Sequence, residues 1–201
     1  MIHLTAIIGS GAKIGTNVEI GPHSIIGGAV SIGDDSIIGA NVVIEGEVIV
    51  GPENRIAHGT VIGGEPQDLS FSQTTQSRIE IGAKNVIREH CTIHRGTAEG
   101  SATKIGDENF LMVGAHVGHN CEIGNKVIIA NNCLLGGYVS VADAAFLGGG
   151  CVFHQFIRVG RLAITQGGSK FSKDIPPFLI AAECNYVFGV NTVGLIGRAH
   201  V

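Results

Sequence analysis

Large aliphatic residues recur along this chain every six positions. Ile2, Ile8, Ile14, Ile20, Ile26, Ile32, Ile38, Ile44, Val50, Ile56 and Ile62 keep one register without a miss. A glycine usually follows, as at Gly9, Gly15, Gly21, Gly27 and Gly33, and a small or branched residue stands two places before, as at Ala12, Val18, Ser24 and Val30. The register breaks over residues 64–77 and resumes one position out of phase at Ile81, Ile87 and Ile93. After a second excursion over 94–104 it continues from Ile105 to Val159. A period of six matches neither the helical template nor simple alternation. It suits short extended segments joined by sharp bends, each turning one aliphatic inward. Three segments close a triangular coil of about eighteen residues, and coils stack at roughly the 4.8 Å spacing of paired strands. The pattern predicts an all-β parallel β-helix over residues 1–160 with two inserted loops. Residues 161–201 form a last coil and a tail. Glycine and asparagine at the bends (Asn17, Asn41, Asn125) are expected to supply positive φ.

Composition agrees with a thin aliphatic core. Glycine makes 31 of 201 residues, while aromatics reach only 5% and charged residues 15%. A net charge of −4 without a basic run argues against nucleic acid as partner. No apolar run is long enough to cross a membrane. The Met1-Ile2-His3-Leu4 start lacks the basic and apolar segments of a signal peptide, so a cytoplasmic location is expected. Four of the five cysteines (Cys91, Cys121, Cys133, Cys151) occupy the small inward position and read as buried packing groups, not nucleophiles or metal ligands.

A prism filled by its own side chains has no internal pocket, so chemistry belongs on outward residues, on the inserted loops, or between copies of the chain. Outward residues eighteen apart share a column. His119, Gly137 and Gln155 form one, with His116 and His154 near it. A neutral imidazole can take a hydroxyl proton, and an unobstructed glycine N–H can face a developing oxyanion. The loops add Asp68, able to orient a histidine or a substrate hydroxyl. They also add Arg95, which could meet a phosphate or pair with a nearby carboxylate.

The hexads, with Gln67-Asp68-Leu69, Ile93-His94-Arg95-Gly96-Thr97, Ala115-His116-Val117-Gly118-His119, His154-Gln155-Phe156, Asp174-Ile175-Pro176-Pro177 and Phe188-Gly189-Val190-Asn191, resemble the acyl-[acyl-carrier-protein]–UDP-N-acetylglucosamine O-acyltransferase family of lipid A synthesis. The resemblance covers nearly the whole chain. It implies a left-handed β-helix and a homotrimer with active sites in the clefts between prisms. The substrates would be an acyl-carrier-protein thioester and a nucleotide sugar, with no cofactor or metal. His119 matches the general base, Gly137 the oxyanion donor, and Asp68, Gln67, His116, His154, Gln155 and Asn191 substrate contacts. Gly167 matches the position limiting acyl-chain length. The chain departs from the family at Asn120, where the base is normally followed by Asp, leaving an amide as its orienter. It departs also at Tyr138 (normally His), at Ser70 (normally Lys), and at Val193 and Gly197, where charged residues recognise the nucleotide. Family members continue into a C-terminal helical domain, whereas this sequence stops at Val201. These departures keep three other readings open: a transferase for a different nucleotide sugar, such as a 3-amino sugar, using a carrier-protein or coenzyme A thioester; a non-catalytic paralogue; and a trimeric zinc enzyme of the carbonic-anhydrase type using His116, His119 and His154.

Overall fold

The structure, a computed structural model, describes residues 1–196. Its strands, mostly two residues long, stack into three sheets that form the sides of a triangular prism. A nine-stranded sheet runs from Ile7–Ile8 to Lys170–Phe171, and an eight-stranded sheet from Lys13–Ile14 to Arg158–Val159. The third has ten strands, from Glu19–Ile20 to a closing hairpin of Leu179–Ala182 and Tyr186–Val190. Every pairing is parallel except in that hairpin. Among the described residues the one helix is Thr192–Ile196, and none is long and apolar enough to cross a membrane.

The six-residue register is the core. Each register aliphatic from Ile20 to Val159 is at most 4% exposed, and burial of each such side chain stabilises the fold by about 1.5–3 kcal/mol. Ile2 is 47% exposed because it sits on the end coil, with no layer beneath it.

The glycines have a different cause from the one the sequence suggests. Of those following the aliphatics up to residue 63, only Gly63 has positive φ. All the others except Gly27 are required by space: a Cβ at Gly33 would lie 2.6 Å from the carbonyl carbon of Gly51 on the next coil. Left-handed conformations fall one or two residues later, on side chains as large as Lys84, Lys126, Tyr138 and Phe156. Asn17 and Asn41 are among them; Asn125 is not, its neighbour Lys126 taking the bend.

Pairing shows what the insertions do. Val30 pairs with Val48, eighteen residues on, but Glu47 pairs with Arg78 and Arg78 with Ala102. The loops span 65–77 and 95–101: Gly64 and His94 still belong to the strands before them, and pairing resumes at Arg78 and, within the expected second excursion, at Ala102. Both leave the prism at the corner between the nine- and eight-stranded sheets, on adjacent coils.

Buried polar side chains hold the other corners. Asn85 donates to Asn54 Oδ1 from both its backbone and its amide, Asn109 N–H donates to Asn85 Oδ1, and Val127 N–H to Asn109 Oδ1. The ladder ends there, leaving Asn109 Nδ2 without a partner. An unsatisfied buried donor costs about 1–3 kcal/mol.

Candidate active site

At the corner from which both loops spring, the His119 imidazole lies directly over Gly137. A Cβ at Gly137 would collide with ring atoms Cε1, Nε2 and Nδ1, so only glycine fits beneath it. His119 is 8% exposed. The interior at this level is taken by Val117 and Cys121, and the ring stands outside it.

The N–H of Gly137 is unspent. Along one other edge, between the eight- and ten-stranded sheets, the same turn position donates to a side chain of the next coil: Thr16 to Asp34, Ala83 to Asp107, Asp107 to Asn125, Asn125 to Asp143, each at 2.6–2.7 Å. In the His119–Gly137–Gln155 column no such side chain intervenes. Among the described residues Gly137 N–H has no acceptor.

The tautomer of His119 follows from its neighbours. Thr97 donates its N–H (2.9 Å) and its hydroxyl (3.0 Å) to Asn120 Oδ1. A backbone N–H donates only to the oxygen end of an amide, which fixes the Asn120 side chain. That oxygen lies 3.1 Å from His119 Nδ1. An amide oxygen only accepts, so Nδ1 carries the hydrogen and Nε2 keeps its lone pair. Tyr138 completes the chain, its hydroxyl 3.0 Å from Thr97 Oγ1 and its ring edge-on to His119 at 5.3 Å. Phe156 stacks on Tyr138 at 4.9 Å and forms the outer wall.

Two further histidines lie behind the ring. His116 Nδ1 is 2.7 Å from the Thr92 hydroxyl, and His94 meets His116 edge-on at 4.9 Å. Burial pushes the His116 pKa down to about 4, helped by His94 and His119, and burial also lowers that of His94. Asp68 reaches the same neighbourhood from the first loop. The Ser70 hydroxyl and N–H hold its carboxyl below the usual range, and His119 adds a smaller pull.

Other expected residues stand apart. Gln67, His154 and Gln155 are exposed, His154 two coils beyond the base. Gly167 is exposed at the opposite edge of the nine-stranded sheet. Asn191 caps the last helix, donating to Leu162 O and accepting from Gly194 N–H, which occupies both ends of its amide. Val193 is exposed nearby, and Gly197 lies outside the described residues. Arg95 pairs with a carboxylate: it donates to Thr75 O, lies 3.8 Å from Glu65 and covers the Phe71 ring, clamping the first loop. Among the described residues no three His, Cys, Asp or Glu converge in a metal-binding arrangement, so one chain does not build the three-histidine zinc site. Burial raises the Cys91 thiol to about 11 and Cys121 to about 12, as expected of packing groups. Thr92 and Thr97 were not legible as site residues: the insertions displace them from the eighteen-residue count, so that Thr92 pairs with His116 across twenty-four residues.

The bacterial transferase hexapeptide (six repeats) family model matches residues 29–64 and 102–137. An acyl-[acyl-carrier-protein]–UDP-N-acetylglucosamine O-acyltransferase of Paraburkholderia phymatum is 49% identical over 98% of this chain and 76% of its own length. The chain belongs to this acyltransferase family. The UDP-N-acetylglucosamine acyltransferase structure from Francisella novicida superposes with a TM-score of 0.95 at 36% identity, covering all of this chain and 74% of that one. The Bacteroides fragilis structure gives 0.94 at 44%, covering all of this chain and 79% of its own. The prism is accordingly a left-handed parallel β-helix, against the right-handed rule for ordinary parallel crossovers.

The half-buried His116 gives the fold a defined acid sensitivity. Between the unperturbed value near 6.5 and the depressed value of about 4, the unfolded chain takes up a proton at residue 116 that the folded chain refuses. Stability should therefore fall as pH drops through that window and level off for this group below it. Denaturant midpoints measured from pH 7 to 4 should show this slope, and His116→Asn should make it shallower. An unchanged slope in the variant would contradict the assignment.

Proposed function

We propose that this chain is an acyl-carrier-protein-dependent O-acyltransferase that moves a 3-hydroxyacyl group to the 3-hydroxyl of UDP-N-acetylglucosamine, in lipid A biosynthesis. The observation carrying the chemistry is an imidazole with a free Nε2 held against a backbone N–H that has no other acceptor. The sugar hydroxyl gives its proton to His119 Nε2 as its oxygen attacks the thioester carbonyl. The negative charge that develops on the carbonyl oxygen faces Gly137 N–H. Collapse breaks the carbon–sulfur bond, and the imidazolium returns its proton to the departing thiolate. Hydroxyl and thioester become ester and thiol, with no redox or metal step.

Asp68, whose carboxyl feels the charge of His119, supplies the negative charge that Asn120 lacks while the imidazolium exists. His116, neutral and anchored on Thr92, backs the ring. Gln67, His154, Gln155 and Asn191 are the remaining substrate contacts, Asn191 through the second N–H and the second lone pair that its bonds to Leu162 O and Gly194 N–H leave. The acyl chain crosses the nine-stranded face, where Leu134 and Val152 are each 41% exposed, and runs toward Gly167, whose bare backbone leaves room for a long chain.

A homotrimer accounts for the outward columns. The ten-stranded face presents Ile37, Phe110, Ile128 and Phe146, and the nine-stranded face Ile7, Ile25, Leu134 and Val152. The eight-stranded face carries Lys13, Glu80, Lys104, Glu122 and Arg158. Two apolar sides and one charged side are what a threefold ring requires of each subunit. The free cysteines fit a reducing compartment, the cytoplasm.

Ser70, Asn120 and Tyr138 favour one second reading, a 3-amino sugar as acceptor, whose nucleophile is less demanding of its base. Mass spectrometry of products from UDP-N-acetylglucosamine and its 3-amino analogue, each with carrier-protein and coenzyme A thioesters, separates the two. The expected product is the O-acyl sugar from the carrier-protein donor, with His119→Ala reducing kcat/KM by about 10²–10⁴-fold. Amide product alone, or an undiminished His119→Ala rate, would overturn the first reading.

A further inference from the structure

The peptide that carries the Gly137 N–H is gripped from inside the prism. Its carbonyl, that of Gly136, accepts a hydrogen bond from the Cys121 thiol at 3.1 Å. Cys121 is fully buried, and its thiol stays protonated at neutral pH, so the donor is always present. The peptide is trans, so a carbonyl drawn inward aims the N–H on its other side outward, toward the His119 ring above it. The same bond draws electron density toward the carbonyl oxygen and strengthens the N–H as a donor.

We infer that Cys121 is a positioning residue for the oxyanion donor: it fixes and polarises the Gly136–Gly137 peptide without touching substrate. The inference rests on Gly137 being that donor. Its general basis is visible elsewhere in the prism, where Ser24 and Ser36 occupy the equivalent inward position and donate to the Gly39 and Gly51 carbonyls. Thiol donors are weak, and the Cys121 bond is the one of this kind found beneath the base.

The position also tolerates side chains that cannot donate, since Val127 and Val139 fill it on neighbouring coils at 0% exposure. Cys121→Val therefore removes the hydrogen bond while keeping an apolar group of similar size, and Cys121→Ser keeps a donor. Steady-state kinetics with carrier-protein thioester and nucleotide sugar should give Cys121→Val a kcat lowered by about 3- to 10-fold at unchanged KM. This is a fraction of the loss that follows complete removal of an oxyanion donor. Cys121→Ser should restore kcat to the parent value. Cys91→Val, which removes a like thiol–carbonyl bond to Met112 at another corner, should leave kcat unchanged. Should Cys121→Val fail to fold, as judged by circular dichroism and melting, Cys121→Ala carries the same comparison with Cys121→Ser. Parent kcat in the donor-less variant, or equal losses in both variants, would overturn the inference. Gly137→Pro compared with Gly137→Ala separates this from the parent reading: both put a Cβ beneath the ring, the equivalent turn position already accepts proline at Pro22 and Pro52, and only the proline loses the N–H. If the proline variant is folded and slower than the alanine variant while the donor-less Cys121 variant runs at full rate, Cys121 alone loses its role. Equal rates in the two residue-137 variants would instead remove Gly137 as the donor.

Discussion

Successive coils of this protein approach so closely that at many corners a single methyl group would not fit between them. That constraint follows from two others acting together. Parallel hydrogen bonding sets the coil-to-coil distance, and one inward aliphatic per segment fills the prism so that no coil can shift sideways. Glycine at the corners is the result. It is needed for backbone passing over backbone, as at Gly33 over Gly51, more than for unusual dihedral angles.

The active corner exploits the same spacing. Along the edge between the eight- and ten-stranded sheets four turn N–H groups are capped by an Asp or Asn from the next coil, whereas in the His119–Gly137–Gln155 column the Gly137 N–H has no acceptor among the described residues and an imidazole lies over the bare glycine. No pocket has to be carved: the site is an uncapped turn beneath a ring. The inserted loops then close around it. Thr97 and Tyr138 set the tautomer of His119, Arg95 anchors the first loop, and Asp68 brings a carboxylate within the electrostatic reach of the ring. A neutral amide at Asn120, in place of the family's carboxylate, still orients the ring because Thr97 holds its oxygen in place.

Most of the fold was legible because its register is a count: every aliphatic in phase from Ile20 to Val159 is buried, and the phase slip at residue 64 located the first loop. The His119–Gly137 pairing came from the same arithmetic. Contacts that cross the insertions did not, since counting by eighteen cannot find Thr92 beside His116 or Thr97 beside Asn120. Side chains with two possible tasks were equally opaque. Arg95 pairs with a loop carboxylate, and Asn191 ties Leu162 O to the first turn of the last helix, a structural task that its place in the sequence does not reveal. The thiol of Cys121 reads from sequence as filler, because nothing in a six-residue pattern reveals which corner carbonyl points inward to meet it.

The tautomer of His119 tests the account most directly, because the whole chain from Tyr138 through Thr97 and Asn120 exists to fix it. Histidine ¹⁵N spectra at neutral pH, assigned by comparison with a His119→Gln variant, report which ring nitrogen carries the hydrogen. A protonated Nδ1 and a bare Nε2 are expected at this residue. A bare Nδ1, or a rapidly exchanging mixture of the two forms, would contradict it.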